Sequence, residues 1–228
     1  IIIIFSIYSN LFGIAGIGLY GNYDILSHDG TSASDGSFTI NAGSFDNAYG
    51  GGLYIYVDAI PIVDLELSFE GAGNLHDGIF IAPAPLGEFT GELPWVRAST
   101  YITVRKKIIG LSIPFLAKAK LYAGGGYNKH TVTPKYSMDL LNGAFPNKNL
   151  ETIFELMEDN PGAITTFADH VAKNMESYSG IHLQAGFQAK LFVISLFANA
   201  RYTIAKDVIP GMAGFPSAWI GLGFGLEI

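Results

Sequence analysis

The chain has 228 residues, of which 49% are hydrophobic and 14% charged, with no cysteine and a formal net charge of -7. The lack of cysteine excludes a disulfide framework, a thiolate catalyst and cysteine-ligated metal centres, and an acidic balance without a basic stripe argues against nucleic-acid binding. So much apolar content excludes disorder, and so few charges are unusual for a soluble domain. The composition therefore leaves a soluble β protein or a membrane β-barrel.

The N-terminal segment is almost entirely apolar over residues 1–20. Its first five residues are similar to the apolar part of a secretory signal peptide. Residues 1–12 are interpreted either as a signal-peptide remnant or as an extended lead into the first strand. Residues 12–23 then alternate with period two, which predicts that strand.

Seven further segments alternate between apolar and polar side chains over about ten positions each, the pattern of strands with two different faces. They are residues 49–60, 62–73, 95–106, 114–127, 178–190, 192–204 and 217–228. In the segment 192–204, Phe197 interrupts the polar face. Together with the first strand, eight strands are predicted.

The connections between these strands alternate in length. Short turns near residues 60–61, 107–112 and 190–191 lie at one end, and long loops at about 24–48, 74–94, 128–177 and 205–216 lie at the other. This is the layout of a membrane barrel with an even number of strands. We therefore predict an all-β fold, an eight-stranded antiparallel up-and-down transmembrane β-barrel with four long loops, formed by residues 12–228 as one domain.

Alternation alone leaves open which strand face points outward. A soluble lipocalin-like barrel would turn its apolar face inward around a ligand. The apolar faces carry no charge, and a charge in the lipid band would cost about 2–4 kcal/mol, which favours an outward apolar face. The predicted lipid-facing residues are Val63, Leu65, Leu67, Phe69, Ile220, Leu222 and Phe224. The predicted lumen charge network, in which acids and bases can pair, consists of Asp58, Asp64, Glu66, Glu70, Arg97, Arg105, Lys118, Lys120, Lys190, Arg201 and Glu227.

The alternating segments, the turn pattern and the final strand WIGLGFGLEI at residues 219–228 resemble the small eight-stranded outer-membrane barrels, namely the OmpA transmembrane-domain and OmpX-like proteins. Such proteins commonly end in an aromatic residue, whereas this chain ends in Ile228, with Phe224 four residues earlier. The resemblance implies a location in the bacterial outer membrane, contacts with membrane lipids and a lipopolysaccharide-type surface, and no cofactor.

The third long loop is too long to be a structureless connection. Its apolar residues follow helical spacing before and after the breaker Asn-Pro-Gly at 160–162, which predicts a helical hairpin over the barrel mouth. The apolar stripes either pack on each other or form a groove for a partner. The residues predicted for this interaction loop are Leu150, Phe154, Met157, Phe167 and Val171.

The long loops carry fifteen acidic residues, Asp24 among them, against five lysines. These carboxylates form a solvated surface or bind divalent cations loosely, and no specific metal site is predicted because the ligand spacing of a calcium loop is missing.

An eight-stranded barrel is only wide enough for side chains to fill it, so the lumen charges are interpreted as a structural plug, with a gate as the alternative.

The leading functional prediction is therefore a structural or surface-interaction protein that acts on protein partners through its acidic extracellular loops. The alternative is a narrow pore or transporter for small solutes. A soluble ligand-binding barrel and a lipid A-modifying enzyme are less favoured. His28, His76, His130 and His170 are assigned to loops, and no serine lies in a nucleophile motif, so the protein is predicted not to be an enzyme.

Overall fold

A computed structural model of the chain describes residues 14–57, 63–113 and 116–227. The described residues form ten strands and three helices: β1 (Ile14–His28), β2 (Thr31–Asp35), β3 (Phe38–Ala42), β4 (Phe45–Val57), β5 (Asp64–Ile81), β6 (Glu88–Ile113), β7 (Ala117–Val132), α1 (Met138–Ala144), α2 (Leu150–Asp159), α3 (Pro161–Lys173), β8 (Glu176–Leu191), β9 (Ile194–Ile204) and β10 (Gly214–Glu227). The predicted signal-peptide remnant or lead-in at residues 1–12 lies outside them. Among them, no helix is both long enough and apolar enough to cross a membrane.

Eight of the strands close into an antiparallel barrel in the order β1, β4, β5, β6, β7, β8, β9 and β10. The barrel is closed by β1 and β10, which pair from Ile14 opposite Glu227 to Asp24 opposite Ser217. Closure leaves no unpaired strand edge in the barrel wall as far as its residues are described, which is the condition for a sheet to cross a lipid bilayer. The predicted eight-stranded up-and-down barrel is confirmed.

The two faces of the strands point as the alternation predicts, one toward the lumen and the other toward the outer surface. In β9 every second side chain is buried in the lumen and every intervening one is exposed on the outer surface. Of the predicted lipid-facing residues, Leu65, Phe69, Ile220, Leu222 and Phe224 are exposed on that outer surface. Val63 and Leu67 are half-buried. The outer surface of the barrel is therefore an apolar band.

Several predicted loops are strand in the structure. β5 and β6 continue as a paired hairpin up to Ile81 opposite Glu88, so residues 74–94 do not form an open loop. Within the first long loop, β2 and β3 form a hairpin, and β3 adds to the upper part of β5. Residues 107–112, predicted as a turn, belong to β6 and pair with β7, with a register shift between Lys107 and Ile109.

Above the barrel mouth, the strand extensions and the helices form a second layer, which we call the lid. It consists of β2, β3, residues 77–81 of β5, residues 88–94 of β6 and helices α1 to α3. α2 and α3 occupy the two segments with helical spacing; Asn149 and Asn160 cap their first turns by accepting hydrogen bonds from Thr152 N (2.9 Å) and Gly162 N (2.9 Å). α1, capped by Ser137, was not predicted.

The lid has its own apolar core, separate from the lumen. The core includes Ile40 from β3, Phe80 from β5 and Leu93 from β6. The helices contribute Leu141, Ile153, Phe154, Met157, Phe167 and Val171. The exposed outer face of the lid is thus held in place by burial of the opposite face of each helix.

Candidate functional sites in the lumen and the lid

A continuous set of ion pairs and hydrogen bonds, which we call the charge ladder, runs along the lumen. Toward the long-loop end, Arg97 Nη2 lies 2.5 Å from Asp24 Oδ2 and 2.9 Å from Glu70 Oε1. Arg201 Nη1 binds the second oxygen of Glu70 at 3.1 Å. Arg201 Nε also donates to Gln184 Oε1 at 3.3 Å, which carries the ladder toward the short-turn end.

The lower half of the charge ladder begins at Glu66. Its carboxylate accepts from Gln184 Nε2 at 3.1 Å and from Arg105 Nη1 at 2.8 Å. Asp64 Oδ2 then accepts from Lys120 Nζ at 2.9 Å and lies 3.9 Å from Arg105 Nε. Among the residues that the structure describes, the ladder contains four carboxylates and four basic side chains, so these charges balance. Buried charges are tolerated on that condition.

Aromatic residues fill the lumen space beside the ladder. This aromatic cluster consists of Tyr20, Tyr54, Tyr56, Phe197 and Trp219. Tyr20 Oη joins the two groups by donating to Glu70 Oε2 at 2.7 Å. Phe197, which interrupts the polar face of its strand, packs edge-on against Tyr54 with ring centroids 4.8 Å apart. The interruption therefore marks a lumen-filling residue and leaves the register of the strand unchanged.

A third group of buried residues closes the mouth of the barrel. We call it the mouth cluster; it comprises Leu26, Phe45, Ala48, Ala72, Trp95, Val132, Ala205, Val208, Ile209 and Phe215. Val208 and Ile209 come from the loop between β9 and β10, which folds back into the mouth. The side chains of the charge ladder, the aromatic cluster and the mouth cluster are thus almost all buried along the described part of the lumen.

Most of the predicted lumen charges lie in the charge ladder. Those that do are Asp64, Glu66, Glu70, Arg97, Arg105, Lys120 and Arg201. Lys118 and Lys190 lie opposite each other on the lumen side of β7 and β8. Asp58 lies outside the described residues, and the side chain of Glu227 is not described. Asp24 was assigned to the first long loop, but β1 extends past it and places it in the lumen.

The loop assignment was also wrong for His28, His76 and His130, which lie in β1, β5 and β7. His130 Nδ1 lies 2.7 Å from Ser99 Oγ, and His130 Nε2 lies 3.0 Å from Asn128 Oδ1. A serine hydroxyl in contact with a histidine, whose ring is oriented by a third group, is the arrangement of a hydrolytic triad, although the third group of serine triads is a carboxylate. Here His130 is completely buried, and Arg97 also donates to Ser99.

The predicted interaction-loop residues point into the lid. Phe154, Met157, Phe167 and Val171 are buried in its core, and Leu150 is half-buried against it.

Nearby, Tyr136 Oη donates to Pro94 O at 2.8 Å and joins the loop after β7 to the free edge of β6. Burial raises the pKa of Tyr136, so its hydroxyl remains a donor at neutral pH. No group of three or more potential metal ligands occurs in the part of the chain that the structure describes.

No family model and no curated protein sequence matches the chain. Among solved structures, it is similar to the outer-membrane protein OprG of Pseudomonas aeruginosa, with 13% identity, 95% of this chain and 97% of OprG covered, and a TM-score of 0.47. It is also similar to the attachment invasion locus protein Ail of Yersinia pestis (12% identity, 94% and 99% covered, TM-score 0.45) and to neisserial surface protein A (11% identity, 95% and 97% covered, TM-score 0.45). These likenesses are of fold alone. The closed eight-stranded barrel with its apolar outer band confirms the predicted resemblance to small outer-membrane barrels in fold, and the bacterial outer membrane is the location that this band fits.

Proposed function

We propose that the protein is a structural and surface-interaction barrel that binds positively charged partners through the acidic outer face of its lid, and that it is neither a conducting pore nor an enzyme. The observation that carries the proposal is this acidic face, held on a layer that has its own apolar core above the side chains buried in the lumen. Divalent cations take part as loosely bound bridges to anionic groups such as lipopolysaccharide phosphates, since carboxylate oxygens suit calcium and magnesium.

The acidic face is clearest on α2. Glu151, Glu155, Glu158 and Asp159 are exposed, and the helix sequence LETIFELMED contains no basic residue. Its other face, with Ile153, Phe154 and Met157, is buried in the lid core. The helix therefore cannot turn its carboxylates away from solvent without exposing its apolar stripe. With Asp24 assigned to the lumen, fourteen acidic residues against five lysines remain in the long loops.

The test uses whole bacterial cells that display the protein. The α2 variant Glu151→Gln, Glu155→Gln, Glu158→Gln and Asp159→Asn is compared with a variant of equal charge change at exposed residues outside the lid, Asp29→Asn, Asp46→Asn, Glu176→Gln and Asp207→Asn. We expect binding of a fluorescent lysine-rich peptide and calcium-dependent cell association to fall in the α2 variant and to persist in the control. Both effects should weaken in high salt, because exposed charges are screened.

Two outcomes would contradict the proposal. If the α2 variant retains peptide binding and calcium response, the acidic face is only a solvated surface. If both variants lose them equally, net charge explains the effect and α2 has no special role. Gel mobility of unheated samples establishes that each variant is folded before the comparison is made.

A further inference from the structure

A cavity of about 290 Å³ lies in the lid between the free edge of β6 and helices α2 and α3. Protein cores are packed so closely that voids much larger than a water molecule are uncommon. The volume is close to the lower end of the range for small-molecule sites, about 300–1,000 Å³. The cavity is thus larger than an ordinary packing defect.

Aromatic rings form much of the cavity wall. Phe80 and Phe89 are stacked with centroids 4.8 Å apart and planes at 4°, and Tyr136 and Phe167 lie nearby as a second pair, 6.2 Å apart. All four line the cavity. The faces of aromatic rings carry partial negative charge and attract cations, while the rings also offer apolar contact to an uncharged body.

The only charged residues that line the cavity, among those the structure describes, are Glu92 of β6 and Glu158 of α2. Both are exposed at its rim. No lysine, arginine or histidine lines this site in the described ranges. The aromatic rings of the wall and the two carboxylates at the rim therefore both favour a positively charged ligand.

We infer that this cavity binds a small organic cation with an apolar body, such as an aromatic or aliphatic amine. The apolar body lies among the four rings, and the ammonium group faces Glu92 and Glu158. A neutral molecule of the same shape would gain the apolar contacts and lose the charge contacts, and an anion would be repelled. The inference goes beyond the proposed surface interaction, which does not require the cavity to be occupied.

Methyl groups of methionine provide a local readout. The chain has four methionines; Met157 lines the cavity, and Met212 packs against the distant mouth cluster. The full chain with 13C-labelled methionine methyl groups is titrated in lipid nanodiscs with 2-phenylethylammonium, 2-phenylethanol and phenylacetate. We expect a saturable shift of Met157 without a shift of Met212, and an affinity that decreases from the cation to the alcohol to the anion.

The charge contribution is tested with Glu92→Gln/Glu158→Gln, and the matched control is Glu88→Gln/Glu155→Gln, which changes the same two elements away from the cavity. We expect the first pair to weaken binding of the cation about fivefold, as for two partly exposed ion pairs, and to leave the alcohol unchanged. The control pair should leave both unchanged.

The inference is overturned if Met157 does not shift, if Met157 and Met212 shift together as on partition into lipid, or if the three probes bind equally. It is also overturned if the two variant pairs behave alike. Because the acidic face of α2 is assayed on cells with a peptide probe, failure of cation binding in the cavity is distinguishable from failure of the proposed surface function.

Discussion

Glu70 joins Arg97 and Arg201 in the upper half of the charge ladder. Its two oxygens bind Arg97 and Arg201, and Tyr20 donates to it as well. Removing a charge from water costs several kcal/mol, and pairing with good geometry offsets that cost. A single carboxylate that serves two guanidinium groups therefore matters more to stability than an ordinary surface ion pair.

We expect Glu70→Gln to destabilise the barrel by about 3–5 kcal/mol, because it leaves buried guanidinium groups without their shared counter-charge. The measurement is urea unfolding in lipid vesicles, followed by tryptophan fluorescence. Asp35→Asn, at the exposed tip of the β2–β3 hairpin, is the control and should change stability by about 0.5 kcal/mol or less. A loss below about 1 kcal/mol for Glu70→Gln would show that the ladder does not depend on this residue.

Individual residues also show where sequence reasoning succeeds and fails. The period-two pattern assigns Glu66, Glu70, Arg97 and Arg201 to the lumen without any structural input. Which acid pairs with which base could not be predicted, because the pairs join strands distant in sequence, such as Arg201 and Glu70. Asp24 was missed because aspartate is common in loops, although it continues the inward face of β1.

At the scale of elements, the prediction ends several strands too early, because the polarity of their two faces inverts above the lipid band. Within the band, inward residues are polar and outward residues apolar. In the mouth cluster and the lid, the inward residues Phe45, Trp95 and Leu93 are buried and apolar, while Asp46 and Glu92 face solvent. The period stays at two, but the face with apolar side chains changes. This inversion is a sequence signal that could have located the extensions of β5 and β6.

The outward face of β10 gives a direct test of membrane insertion. Leu222 is 60% exposed on the apolar band, and we expect Leu222→Arg to destabilise the barrel in vesicles by about 2–4 kcal/mol if it lies near the bilayer midplane. Leu222→Ala is the size control, since it shortens the side chain without adding a charge. The measurement is reversible urea unfolding in vesicles. An arginine variant as stable as the alanine variant would argue against a lipid-facing position and would favour the alternative of a soluble barrel.

The lid should be separable from the barrel. We expect a chain in which residues 147–175 are replaced by a short Gly/Ser linker to fold and to remain heat-modifiable on gels, because strand pairing carries the stability of the barrel and loop length costs little. The deletion ends before Glu176, which pairs with Val132 in the barrel wall. Loss of α2 and α3 uncovers Phe80 and Phe89, so limited proteolysis should cut the β5–β6 hairpin faster than in the intact chain. If the deletion does not fold, the helices are part of the barrel's structure.

At the scale of the whole molecule, layers of different chemistry follow one another along the barrel axis. An apolar band faces outward around a lumen that contains the charge ladder and the aromatic cluster. The mouth cluster lies above them, and the lid adds an apolar core with an acidic exterior. The number of strands and the direction of their faces follow from local periodicity. The lid's sheet could not be predicted in the same way, because its pairing of β3 with β5 depends on contacts distant in sequence.

The buried side chains in the lumen lead to a prediction about transport. We expect the purified protein to give no stable conductance steps in planar bilayers, because the charge ladder and the aromatic cluster occupy the width that an eight-stranded barrel provides. The chain lacking residues 147–175 should be equally silent, since Phe197, Trp219 and the mouth cluster remain in place. A reconstituted general porin serves as the positive control under the same salt and voltage. Reproducible openings of the intact chain would favour the narrow-pore alternative, and openings seen only in the deletion would show that the lid is a gate.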